Sequence, residues 1–154
     1  MTLDLQIYSG KKHIAKPWVK ALVKLVLQEL NLVQSEISIV IVDDNTIHKQ
    51  NKLWRHKNKA TDVLSFPQYP PDQFDRKALH HGLTNPSLGD IMISYETATK
   101  QAYVYGWSLR FEMARLLVHG ILHLLGHDHI HGGRQAGFMK KEELRLFRKI
   151  KHLL

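Results

Sequence analysis

The stretch "HGILHLLGHDH", residues 119–129, decides how this chain is read. His119 and His123 stand four apart in an apolar run, and His129 follows six residues later, beyond Gly126. On an α-helix, four residues rotate by about 40° net and rise ~6 Å, so both imidazoles share a face and reach one ion. Glycine at 126 takes positive φ without strain and turns the chain sharply, which returns His129 as a third ligand. Three neutral imidazoles leave a coordination position open, the pattern of a catalytic zinc rather than a closed structural one. The ion also falls near the helix C-terminus, where the dipole favours positive charge. A lone histidine on an apolar face is usually a hydrogen-bonded core residue, and this chain has 11 histidines. Three at this spacing with a glycine turn point instead to one zinc ion per chain. His127 reads as substrate-facing or as an outer partner of the site, and Asp128 as an acceptor for a metal-bound imidazole. His80, His81 and His131 have no partner spacing.

The pattern H-x-x-x-H-x-x-G-x-x-H matches the metzincin proteases at every metal position. Those proteases carry a glutamate after the first histidine, which activates water on the zinc and relays its proton. Gly120 stands there instead and moves no proton. The cage is that of a metal hydrolase whose substrate does not require this glutamate, which disfavours a peptidase.

Charge points to the substrate. The chain of 154 residues carries a formal charge of +8 and no cysteine. The absence of cysteine excludes a disulfide scaffold and thiolate metal sites, and it fits a reducing, cytoplasmic setting. The start "MTLDLQIYSGKK" lacks the apolar core of a signal peptide, and no apolar run approaches the ~20 residues of a membrane span. The segment "HKQNKLWRHKNKA" (48–60) holds Lys49, Lys52, Arg55, Lys57 and Lys59 and no acid. Such a run is often only a solvated helix face. Beside a cationic metal it favours phosphodiesters, with Arg55 gripping a phosphate bidentately and Trp54 offering a ring to a base.

The rest of the chain alternates strands and helices as one domain, 1–154. "LDLQIY" (3–8) has the two-residue period of a half-buried strand. A helix follows Pro17, with Trp18, Leu22, Leu25, Val26 and Leu30 on one face. "ISIVIV" (37–42) is β-branched and reads as a central strand. Asp43 and Asp44 cap a short helix over Thr46–Trp54. "DVLSF" (62–66) and "GDIMIS" (89–94) are further strands, separated by a long surface loop over Tyr69–Ser87. Ser94 caps a helix that Gly106 stops, Ser108 opens the histidine helix, and a basic amphipathic helix spans roughly Phe138–Leu153. The fold class is mixed α/β (α+β), a mostly four-stranded sheet with five or six helices.

Three blocks in this order, "NKLWRHKNKATDVLSFP" (51–67), "LGDIMIS" (88–94) and "HGILHLLGHDH" (119–129), resemble the YbeY family of bacterial endoribonucleases. The resemblance spans most of the chain. It implies a fold related to the metal-binding core of zincins and a zinc site at His119, His123 and His129. It also implies a functional arginine at Arg55. The basic run adds Lys57 and Lys59, and the histidine stretch His127, as candidate substrate contacts; at 127 the chain departs from the tyrosine often found in the family. The activity implied is single-strand-specific cleavage of ribosomal RNA precursors in rRNA maturation and ribosome quality control. The expected partners are RNA and the ribosomal subunit or its proteins, with no membrane and no DNA. Two rival expectations are a metzincin-like peptidase and a non-catalytic, metal-stabilised RNA-binding assembly factor.

Overall fold

A computed structural model describes residues 1–8, 14–70, 86–126 and 133–154 of the chain. Strands β1 (Thr2–Ile7), β2 (Glu36–Val42), β3 (Val63–Pro67) and β4 (Ser87–Ser94) form one mixed sheet in the order β1-β2-β4-β3. β1 and β4 flank β2 in parallel, and β3 runs antiparallel along β4 as the edge strand. The described helices are α1 (Lys16–Glu29), α2 (Asp44–Arg55), α3 (Tyr95–Tyr105), α4 (Leu109–Leu124) and α5 (Gly133–Ile150), followed by a 3-10 turn at Lys151–Leu153.

The pleat sorts the helices into two layers. Ile37, Ile39 and Ile41 of β2 point into the main core with α1, α4 and α5. Val40 and Val42 point the other way, into a smaller cluster with Ile47 of α2 and Leu64 of β3. Alternation along a single strand therefore places α2 opposite the histidine helix. Each fully buried leucine or isoleucine contributes roughly 1.5–3 kcal/mol of transfer free energy, so the larger layer anchors the fold.

Local signals set the element ends. Asp43 accepts from the Thr46 amide at 2.8 Å and Ser94 from that of Thr97 at 3.1 Å. Ser108 accepts from the Phe111 amide at 3.0 Å. Each satisfies one orphan donor of a helix N-terminus. Gly106, at φ 75°, ends α3 as expected.

The structure differs from the sequence reading in several places, and β4 starts at Ser87, two residues before Gly89. α2 begins at Asp44 instead of Thr46, because Asp43 alone is the cap and Asp44 is already in the first turn. α1 buries Val19, Val23 and Leu27 besides Leu22 and Val26, while Trp18 and Leu25 lie only at the margin of the core. Its apolar face is simply wider than one stripe. α5 starts at Gly133, five residues before Phe138, since its first turn has no large apolar residue that a periodicity could register. Residues 71–85 of the expected surface loop lie outside the described residues, and its first members Tyr69 and Pro70 are exposed.

Candidate active site

α4 is buried almost throughout. From Phe111 to Leu124 only Phe111, Arg115, His119 and His123 keep partial exposure, at steps of four residues. That spacing puts them on a single open stripe. The two histidines at its C-terminal end face each other, with ring centroids 4.5 Å apart and Nε2 atoms 2.9 Å apart. Two imidazole nitrogens hold this approach only with a positive centre between their lone pairs, either a proton on one of them or a metal ion.

The other side of His119 is fixed from α5. Its Nδ1 lies 2.9 Å from Oε1 of Glu143. An ionised carboxylate only accepts, so the hydrogen of a neutral ring sits on Nδ1 and leaves the Nε2 lone pair directed at His123. A carboxylate in this position fixes the tautomer and the orientation of a ligating imidazole. The sequence reading assigned such a role to Asp128 and passed over Glu143. The available signal was a pair of acids, Glu142 and Glu143, in an otherwise basic helix.

The donor set fits a divalent ion as far as it is described. His119 and His123 come together as expected. His129, the expected third ligand, lies outside the described residues, as do His127 and Asp128. Among the described residues no group of three or more ligating side chains converges. The turn beyond the helix begins as expected, with Gly126 at φ 86°, a conformation that disfavours any residue with a Cβ.

Gly120 has a steric reason. The helix lies so close to the sheet there that a Cβ would stand 3.0 and 3.1 Å from two carbons of Ile91 and 3.3 Å from the Ser65 hydroxyl. Ser65 also donates to the Gly120 carbonyl at 3.3 Å. Any side chain at this position needs Ile91 and Ser65 to give by a few tenths of an ångström, so packing disfavours the protease base here.

Arg55 ends α2 on the opposite face of the sheet. His56 closes that helix in the left-handed region, at φ 58°. Buried Asn51 holds the following turn. Its carbonyl accepts from the Lys57 amide at 3.3 Å, and its Nδ2 donates to the Lys59 carbonyl at 2.8 Å. His48 and Asn58 add a 2.8 Å contact. Arg55, Lys57 and Lys59 are thereby displayed to solvent, with no ion pair among the described residues. The turn runs into β3, whose Phe66 meets Trp54 edge to face at 6.4 Å while Ser65 touches Gly120. The cationic turn and the histidine pair thus flank one edge strand from its two sides. No hydrogen bond or ion pair joins them among the described residues.

The two strand carboxylates divide. Asp62 accepts from the Val63 amide at 2.7 Å and from Gln101 at 3.2 Å, and is structural. Asp90 is exposed beside Trp54 and Met92. Glu112, fully buried, takes two bonds from Arg115, at 3.0 and 2.6 Å, and one from Trp107 Nε1 at 2.8 Å. Hydrogen bonding to Glu112 raises the Arg115 pKa further, against the opposing effect of burial.

A sequence profile of the family described as endoribonuclease YbeY matches residues 5–151. A Persephonella marina protein of that name is 42% identical over 144 residues, which cover 92% of this chain and 88% of its own. One from Sulfurihydrogenibium is 41% identical over 148 residues, covering 96% and 90%. One from Aquifex aeolicus is 42% identical over 125 residues, covering 81% and 77%. A solution structure of a Thermotoga maritima protein superposes with a TM-score of 0.61 at 19% identity, over 98% of this chain and 93% of that one, a likeness of fold.

Proposed function

The chain belongs to the YbeY family, and from that premise we propose that it is a zinc-dependent endoribonuclease cutting single-stranded ribosomal RNA precursors in the cytoplasm, in rRNA maturation and ribosome quality control. The observation that carries the chemistry is the convergence of the His119 and His123 Nε2 atoms, with Glu143 behind the first of them. His119, His123 and His129 would hold the ion, and imidazole ligands suit zinc where hard ions prefer oxygen. When bound, it supplies Lewis acidity to a phosphoryl oxygen and lowers the pKa of water.

The chain's own residues do the rest. Glu143 keeps the His119 proton on Nδ1 and the ring in one orientation. Arg55 grips the scissile phosphate and offsets the charge that grows on its equatorial oxygens. Lys57 and Lys59 bind neighbouring phosphates from the turn that Asn51 braces, and His127 contacts substrate. Gly120 takes no part in proton transfer.

The test is elemental analysis beside an RNA cleavage assay with and without chelator. Close to one zinc per chain, loss of cleavage on chelation and loss of zinc in His123→Ala are expected. Undiminished zinc in that variant would sink the ligand assignment. RNA binding without metal-dependent cleavage would make the protein an assembly factor, and casein cleavage would make it a peptidase.

A further inference from the structure

The open stripe of α4 does not end at the histidines. Toward the helix N-terminus it passes through Arg115 to Phe111, ~12 Å from His119 at 1.5 Å per residue. Phe111 and Arg115 there form one wall of an apolar groove of about 500 Å³, and α5 forms the other. The floor is a run of rings. Trp107 and Phe111 are 5.0 Å apart and Phe111 and Phe147 5.4 Å, and Tyr105 extends the run beyond the groove, 4.8 Å from Trp107. Trp107 is still 37% exposed and Tyr105 57%. Glu143 lines the same groove while its carboxylate meets His119, so among the described residues one side chain touches both groove and histidine pair.

Charge says what the groove takes. Lys140, Arg148 and Lys151 stand along its α5 side, and none has an ion pair among the described residues. Arg115 is by contrast committed to Glu112. Exposed rings between uncommitted cations match a strand that offers flat bases and a charged backbone. An apolar protein segment would use the rings and leave the cations without partners.

We propose that this groove is a base-stacking extension of the active site, in which Trp107 and its neighbouring rings bind bases of single-stranded RNA while Lys140, Arg148 and Lys151 hold its phosphates. The proposal rests on the ribonuclease function and adds the subsite that selects unpaired bases. A duplex keeps its bases stacked on each other and has none to give.

The experiment compares binding of a short single-stranded RNA with that of the same strand carrying abasic residues at interior positions. The protein is the full chain, its Trp107→Leu variant and its Trp107→Phe variant. The parent should prefer the base-bearing strand by about tenfold or more, the equivalent of ~1.4 kcal/mol of stacking. Trp107→Leu should lose most of that preference with its affinity for the abasic strand unchanged, because the cations remain. Trp107→Phe should restore it, since a ring returns without the bond to Glu112. A preference that survives in Trp107→Leu overturns the proposal and leaves an apolar protein segment as the occupant. Failure of phenylalanine to rescue overturns it too, because Trp107 then acts through Glu112. If the parent cleaves RNA and only these outcomes fail, the subsite falls alone. If the parent neither binds nor cleaves either strand, the ribonuclease function falls and the subsite with it.

Discussion

Gly120 and Glu143 lie on opposite sides of the same imidazole pair, and each is held to its identity by its neighbours. Replacing a helical glycine by alanine ordinarily stabilises by about 0.5–1 kcal/mol. At residue 120 the new Cβ would press on Ile91, whose side chain is fully buried. We expect overpacking of about 1–3 kcal/mol to outweigh the propensity gain, so that Gly120→Ala lowers the urea midpoint. Ile91→Val removes the carbon at 3.0 Å and should recover part of the loss in the double variant. A Gly120→Ala protein more stable than the parent would show that α4 can lift off the sheet. Glu143 acts through His119. Glu143→Ala should weaken zinc retention by about 10- to 100-fold in a chelator competition, with Glu143→Gln intermediate because its amide oxygen still accepts from Nδ1. Retention equal to that of the parent would make the carboxylate a packing contact only.

The elements are joined by a carboxylate latch. Asp44, in the first turn of α2, accepts from the hydroxyls of Ser94 and Thr97 and from Lys100, at 2.5, 2.5 and 3.1 Å. Its amide donates in turn to Glu96 at 3.0 Å. Burial alone would raise this carboxyl, but the hydrogen bonds from Ser94, Thr97 and Lys100 and the Lys100 charge hold it below its ordinary value of 3.8. A carboxylate lowered on folding contributes stability that is full above its unfolded pKa and is lost as pH falls through the folded one. Asp44→Asn should therefore cost about 1.5–3 kcal/mol at pH 7, and the gap to the parent should close as pH drops below 3.8. Urea unfolding across that range checks it, and a constant gap would put the effect in packing. Such joints mark where the sequence stops being readable. The caps Asp43, Ser94 and Ser108, the stop at Gly106 and the turn at Gly126 are decided within a few residues, and all were legible. So was the shared face of His119 and His123, because helical geometry fixes it. The Glu143 contact spans 24 residues and two helices, and the placement of β3 antiparallel at the edge depends on strand pairing. Neither leaves a local periodicity. The reason for Gly120 was half legible: the missing base could be seen, but the Ile91 side chain that crowds the position could not.

At the scale of the whole molecule, the chain carries a net charge of +8, and cations stand on both sides of one edge strand. Arg55 and its lysines lie beyond one face of β3, and the histidine stripe with the cations of α5 lies beyond the other. A strand that engages both must cross this edge. Binding should weaken as salt rises, through counterion release from the phosphates it covers. A flat salt response would make the charge incidental. Arg55 is the residue whose two roles must be told apart. It is exposed, it ends its helix, and it has no ion pair among the described residues, so Arg55→Ala should leave zinc content intact and change stability by less than ~0.5 kcal/mol. Cleavage should nevertheless fall by roughly a hundredfold or more if the guanidinium offsets charge that appears only in the transition state. Arg55→Lys should rescue in part, because an ammonium keeps the charge and loses the planar fork. The deciding measurement is single-turnover cleavage at saturating enzyme, where weakened docking is compensated. A parental rate for Arg55→Ala under those conditions would make Arg55 a docking residue and leave charge stabilisation to the histidine side of the strand.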